Sequence, residues 1–95
     1  MTFNEYQKEA SRTVLFKSIK ERLNLAALGI GGEAGECIEP VKKYLFHSTP
    51  LDIHALALEL GDLLWYLSLL ADSIGYDLEE VANMNIEKLL ERYPV

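Results

Sequence analysis

Two short acidic pairs carry residues able to do chemistry together: Glu33-Ala-Gly-Glu36 and Glu59-Leu-Gly-Asp62. Each is written i, i+3. On a helix such residues project from one face with Cβ atoms about 5–6 Å apart, so each pair offers two carboxylates to one object. Residues 37–58 leave room for the rest of one helix, a turn and the start of an antiparallel second helix, which would bring all four carboxylates together. Four negative charges so placed repel unless a cation sits among them, and an all-oxygen set suits a hard divalent ion, Mg²⁺ or alternatively Mn²⁺. Glu59 and Asp62 lie inside Leu56-Ala-Leu-Glu-Leu-Gly-Asp-Leu-Leu-Trp-Tyr-Leu67, where the neighbours are core formers. A buried carboxylate left uncompensated there costs several kcal/mol. No Lys or Arg occurs between Lys43 and Lys88, so a metal explains the pair better than a local salt bridge.

The elements that must position these groups are helical. Thr2-x-x-Glu5 reads as a capping box, and Phe3, Tyr6, Ala10 and Val14 mark the apolar face of a first helix ending near Phe16. Ser18-x-x-Glu21 opens a second helix, to about Phe46. Its middle holds Gly29, Gly31, Gly32, Gly35 and Pro40, each unfavourable in a helix interior, yet the apolar period runs on through Ile38, Val41 and Leu45. The glycines fit close packing against a neighbouring helix or close approach to a ligand. His47-Ser-Thr-Pro50 is a turn, with Thr49 as N-cap and Pro50 at the first position of a third helix over about 50–74, stopped by Gly75. Asp77-x-x-Glu80 caps a fourth, over about 78–92. The expected class is all-α: an antiparallel four-helix bundle. Leucines and Trp65 surround the third helix instead of forming a stripe, so the bundle is expected to complete its core by homo-oligomerisation, as a homodimer or homotetramer.

At about 100° per residue, Asn85, Lys88 and Arg92 share a narrow arc of the fourth helix, away from its acids, as a phosphate-contacting edge would. Cations favoured by a helix C-terminus would account for Arg92 and Lys88 but not Asn85. Lys43 shares a face with Glu36 and is a further phosphate candidate. Tyr66, one turn after Asp62, is placed either to meet a sugar or base or to pack in the core. No Glu-x-x-His, zinc-ligand spacing, nucleophilic triad or P-loop is present, and Cys37 reads as a small core residue.

The pattern Gly-Gly-Glu33-Ala-Gly-Glu36, then Glu59-Leu-Gly-Asp62-Leu-Leu-Trp-Tyr-Leu, then Asn85-x-x-Lys88-Leu-x-x-x-Arg92-Tyr-Pro, resembles the MazG-like nucleoside triphosphate pyrophosphohydrolases over nearly the whole chain. The resemblance implies an all-helical enzyme that uses Mg²⁺ to cleave a nucleoside triphosphate between its α and β phosphates, in a nucleotide house-cleaning role. A deoxynucleoside triphosphate is the expected substrate, Glu33, Glu36, Glu59 and Asp62 the metal ligands, and Glu33 or Glu36 the acceptor of the attacking water's proton. Some members carry a further Glu where this chain has Gly32, which leaves the number of metal ions open. Two alternatives stand beside this reading: a non-catalytic helical oligomer with a structural cation, and an activity like that of phosphoribosyl-ATP pyrophosphohydrolase, a related all-α fold.

Composition sets the remaining bounds. Residues 1–95 are read as one domain, and a chain this short buries only about 60–70 % of its unfolded surface when it folds alone. A net charge of −6 with nine Lys and Arg argues against polymeric nucleic acid as a ligand, whereas a single nucleotide arriving with its metal is compatible. The lone Cys37, with no signal peptide or preceding membrane span, points to a reducing cytoplasm and no membrane partner.

Overall fold

The computed structural model describes residues 1–15 and 18–95, and among these the regular structure is four α-helices: α1 (Phe3–Ser11), α2 (Ile19–Phe46), α3 (Ile53–Ser73) and α4 (Leu78–Arg92). Local chemistry sets their starts. Thr2 and Asp77 form full capping boxes with Glu5 and Glu80, and the Ser18 hydroxyl accepts from the Glu21 N–H. Pro40 is accommodated within an unbroken α2.

Two boundaries differ from the sequence reading. α1 stops at Ser11, and its expected end at Phe16 lies outside the described residues. The hydroxyls of Ser11 and Thr13 donate to the carbonyls of Lys8 and Ala10, offering the last turn an alternative to further helix. α3 begins at Ile53 with Asp52 as its N-cap, not with Thr49 and Pro50. The Thr49 N–H is already committed to the Lys43 carbonyl at the end of α2, and a carboxylate is the better cap because it also meets the helix dipole. Gly75 ends α3 as expected: it takes a left-handed φ of 87°, and the Tyr76 N–H reaches back to the Ala71 carbonyl.

The long helices α2 and α3 form an antiparallel hairpin. Facing pairs run in opposite directions along the chain: Arg22 against Asp72, Gly29 against Tyr66, Glu33 against Asp62. Only Gly29 among the α2 glycines is closely covered within the chain, since a Cβ there would overlap the Tyr66 ring; Gly31, Gly32 and Gly35 face open space. α1 packs on α3 and α4, and α4 packs on α1 and α3 but does not meet α2.

The most buried residue, Ala26, lies on α2, and the other buried residues, Gln7, Ser68, Leu69, Ala71, Ser73 and Leu78, belong to α1, α3 and α4. Gln7, buried on α1, donates its amide to the carbonyls of Ser68 and Tyr76 and accepts from the Leu78 N–H. One turn earlier Asn4 exchanges two hydrogen bonds with Glu79. These two amides fasten the start of α4 to α1 by satisfying backbone donors that a helix N-terminus leaves free.

Away from that junction the chain is open. Its radius of gyration is 15.7 Å where a compact chain of this length has about 12 Å, and it exposes 7222 Å² where a folded monomer of this mass exposes about 5,500 Å². The surplus is apolar. Ile53, Leu60, Leu67 and Ile74 are all exposed and recur every seven residues along α3, and Leu28, Ile38 and Leu45 are exposed on α2. By length and hydropathy α3 alone among the described helices could cross a membrane, yet here it lies against α2, α1 and α4 with Glu59 and Asp62 near its middle.

Candidate active site

The antiparallel register places the two acidic pairs opposite each other. Glu33 on α2 and Glu59 and Asp62 on α3 each bring a carboxylate oxygen within 4.8 Å of the others. Oxygens around a Mg²⁺ at about 2.1 Å stand about 3 Å apart when adjacent and about 4.2 Å when opposite, so the three close on a cation of that size with small side-chain movements. Glu36 stands outside this trio; it faces the adjoining cleft, which it lines together with Lys43, Asp52 and Glu59. The ion pairs among the described residues, Arg12–Glu9, Arg22–Asp72 and Lys42–Glu39, leave all four acids of the two pairs unneutralised. A hard cation fits this donor set.

The electrostatics record the crowding. The Glu33 carboxyl is held above the ordinary carboxylate range, first by burial, then by the charge of Asp62 and a hydrogen bond with Glu59. Burial and the charges of Glu59, Glu33, Asp62 and Glu36 push the Cys37 thiol up as well. Cys37 is half-buried at the margin of the acids instead of in the core. Burial, then Asp62, raises the Tyr6 hydroxyl, which brings α1 into the field of the cluster.

Tyr66 and Trp65 wall the opening over Glu33 and Asp62. The two rings meet edge to face at 5.0 Å, and the Trp65 indole N–H donates to the Thr13 hydroxyl at 2.9 Å, tying the segment after α1 to the rim. Trp65, one of the apolar residues that surround α3, is thus also part of the opening. Asn85, Lys88 and Arg92 are exposed on α4, which packs on α1 and α3 but not on α2, and none of them lines the openings beside the carboxylates.

A raised folded-state pKa for Glu33 means that the native state binds its proton more readily than the unfolded chain, so metal-free stability falls as pH rises through that window. In a chelator, the melting temperature should rise as the pH falls from neutral toward the carboxylate range, and Glu33→Gln should raise it at neutral pH while weakening that pH dependence. A Glu33→Gln protein that melts lower than wild type without metal, with an unchanged pH profile, would contradict the crowding.

Comparison with known proteins agrees with this geometry. The family model described as the MazG nucleotide pyrophosphohydrolase domain matches residues 21–95, spanning α2, α3 and α4. The Gene 37 protein of Mycobacterium phage L5 is 34% identical over 96 residues, covering 92% of this chain and 84% of its own. No solved structure matches significantly. With its acidic pairs facing each other across the α2–α3 hairpin and the family match running over most of its length, the chain belongs to the MazG nucleotide pyrophosphohydrolase family.

Proposed function

We propose that the protein hydrolyses a nucleoside triphosphate, with a deoxynucleoside triphosphate as the favoured substrate, to the monophosphate and pyrophosphate. The observation that carries this reading is the convergence of Glu33, Glu59 and Asp62 across the hairpin, with Glu36 and Lys43 along the adjoining cleft. Glu33, Glu36, Glu59 and Asp62 would hold Mg²⁺, which when bound polarises the α-phosphate and lowers the pKa of water. The attacking water's oxygen bonds to the α-phosphorus, the bond to the bridging oxygen breaks, and pyrophosphate leaves. Glu36 has an oxygen to spare for the water's proton because it stands outside the trio, and Glu33 is the other candidate. Lys43 offers a point charge to the departing phosphates. The Tyr66 ring gives the sugar an apolar wall, which favours deoxyribose.

Incubation with a panel of NTPs and dNTPs in Mg²⁺, scored for pyrophosphate, should show turnover, and Glu36→Gln and Asp62→Asn should each lower kcat by at least about a hundredfold with helicity intact. No turnover on any triphosphate would leave the rival reading, a helical oligomer with a structural cation.

The reading extends to assembly as a dimer or as a tetramer built from two dimers. The surface in excess of a compact monomer, about 1,700 Å² per chain, is on the scale of an obligate interface, and the seven-residue recurrence of Ile53, Leu60, Leu67 and Ile74 suits a second hairpin laid along α3. Association also gives Asn85, Lys88 and Arg92 a route to a nucleotide held by another subunit. Light scattering should give a mass at least twice 10.7 kDa, and a monomer would refute the assembly. Mixing Asp62→Asn with Lys88→Ala protein should restore part of the activity; no recovery after confirmed subunit exchange would place each site within one chain.

A further inference from the structure

Beyond Tyr66, on the side away from the carboxylates, the flank of α2 forms a second groove of about 440 Å³, walled by Glu21, Asn24, Leu25, Leu28, Gly29 and Tyr66. Tyr66 belongs to both openings, since it also walls the one over Glu33 and Asp62. Gly29 sets its position: the ring lies where any side chain at residue 29 would have to be. The groove therefore continues from the acidic cluster toward the start of α2.

Its length and its chemistry both match a nucleoside. Asn24 precedes Glu33 by nine residues, about 13 Å of helix rise, which is the reach from a metal at the phosphates across a sugar to the far edge of a base. The middle of the groove, Leu25, Leu28 and the Tyr66 ring, offers apolar surface for the faces of a sugar and a base. Its far end is polar. The Ser18 hydroxyl donates to Oε1 of Glu21 at 2.8 Å, which orients the carboxylate and leaves Oε2 to accept from a ligand. A capping role accounts for Glu21 beside Ser18, but not for Asn24 or the leucines between it and Tyr66.

We propose that this groove holds the nucleoside and that Glu21 and Asn24 select bases with an amino group at pyrimidine C4 or purine C6, cytosine or adenine, over uracil and thymine; the proposal rests on the nucleoside triphosphate reading above. An ionised carboxylate only accepts hydrogen bonds, so it pairs with the amino group of cytosine and meets the carbonyl oxygen at the same position of uracil lone pair to lone pair. The Asn24 amide, able to donate and accept, completes the pairing at the neighbouring edge.

The decisive comparison is dCTP with dUTP, which differ at that position and at the adjoining ring nitrogen, an acceptor in cytosine and an N–H donor in uracil. Wild-type kcat/KM should favour dCTP by at least about tenfold. Glu21→Gln, which keeps an acceptor for Ser18 but can donate to uracil, and Asn24→Ala should each bring the ratio toward one. Calorimetry with dCMP and dUMP in Mg²⁺ reads the same preference without turnover. Equal handling of the two bases by wild type, a ratio unchanged in both variants, or no binding of either monophosphate would overturn the groove assignment. Hydrolysis of both triphosphates at equal rates would do so while sparing the hydrolase reading. A dCMP preference that responds to Glu21→Gln without hydrolysis of any triphosphate would uphold the groove and overturn that reading.

Discussion

The structure turns on the mutual repulsion of carboxylates brought together by the α2–α3 hairpin. Glu33, Glu59 and Asp62 converge with no cationic side chain among the described residues paired to them, and burial together with the charges of Asp62 and Glu59 holds the Glu33 carboxyl above its ordinary range. Packing imposes that geometry. α3 packs along α2, and the antiparallel register sets Glu33 beside Glu59 and Asp62, with Asp62 exposed and the other two half-buried. An all-oxygen set so placed suits a hard divalent cation.

The rest of the chain supports that hairpin economically. Its well-buried residues are mostly small or polar, among them Ala26, Ser68, Ala71 and Gln7, and they cluster at one end, where two amides on α1 fasten the start of α4. Large apolar side chains remain outside, on α2 and α3. So thin a core gives a single chain little stability at about 25 cal/mol per Å² of apolar surface buried, and the exposed Ile53, Leu60, Leu67 and Ile74 are what a second copy would cover. Assembly and catalysis are coupled in this account because no α4 residue lines the openings beside the carboxylates within one chain.

Much of this was legible in the residues. Period and caps located α2 and α4 closely, and two i, i+3 acidic pairs at the right separation foretold the convergence that the hairpin produces. What was not legible depended on partners distant in sequence. Thr49 and Asp52 are both good caps, and only the commitment of the Thr49 N–H to Lys43 decides between them. The short α1 reflects local hydroxyl bonds and a segment tied to Trp65, 52 residues away. Gln7 reads as an ordinary surface residue until its three backbone partners are in place. Glu36 looked equivalent to Glu33 because helical spacing fixes a face but not which carboxylate tip reaches the centre.

The central claim is that the convergent acids form a divalent-cation site, and titrating Mn²⁺ into metal-free protein while following the free ion by electron paramagnetic resonance tests it most directly. Saturable binding that Mg²⁺ competes away and Asp62→Asn abolishes is the predicted result; Mn²⁺ that stays free throughout, or that binds Asp62→Asn as it binds wild type, would contradict it.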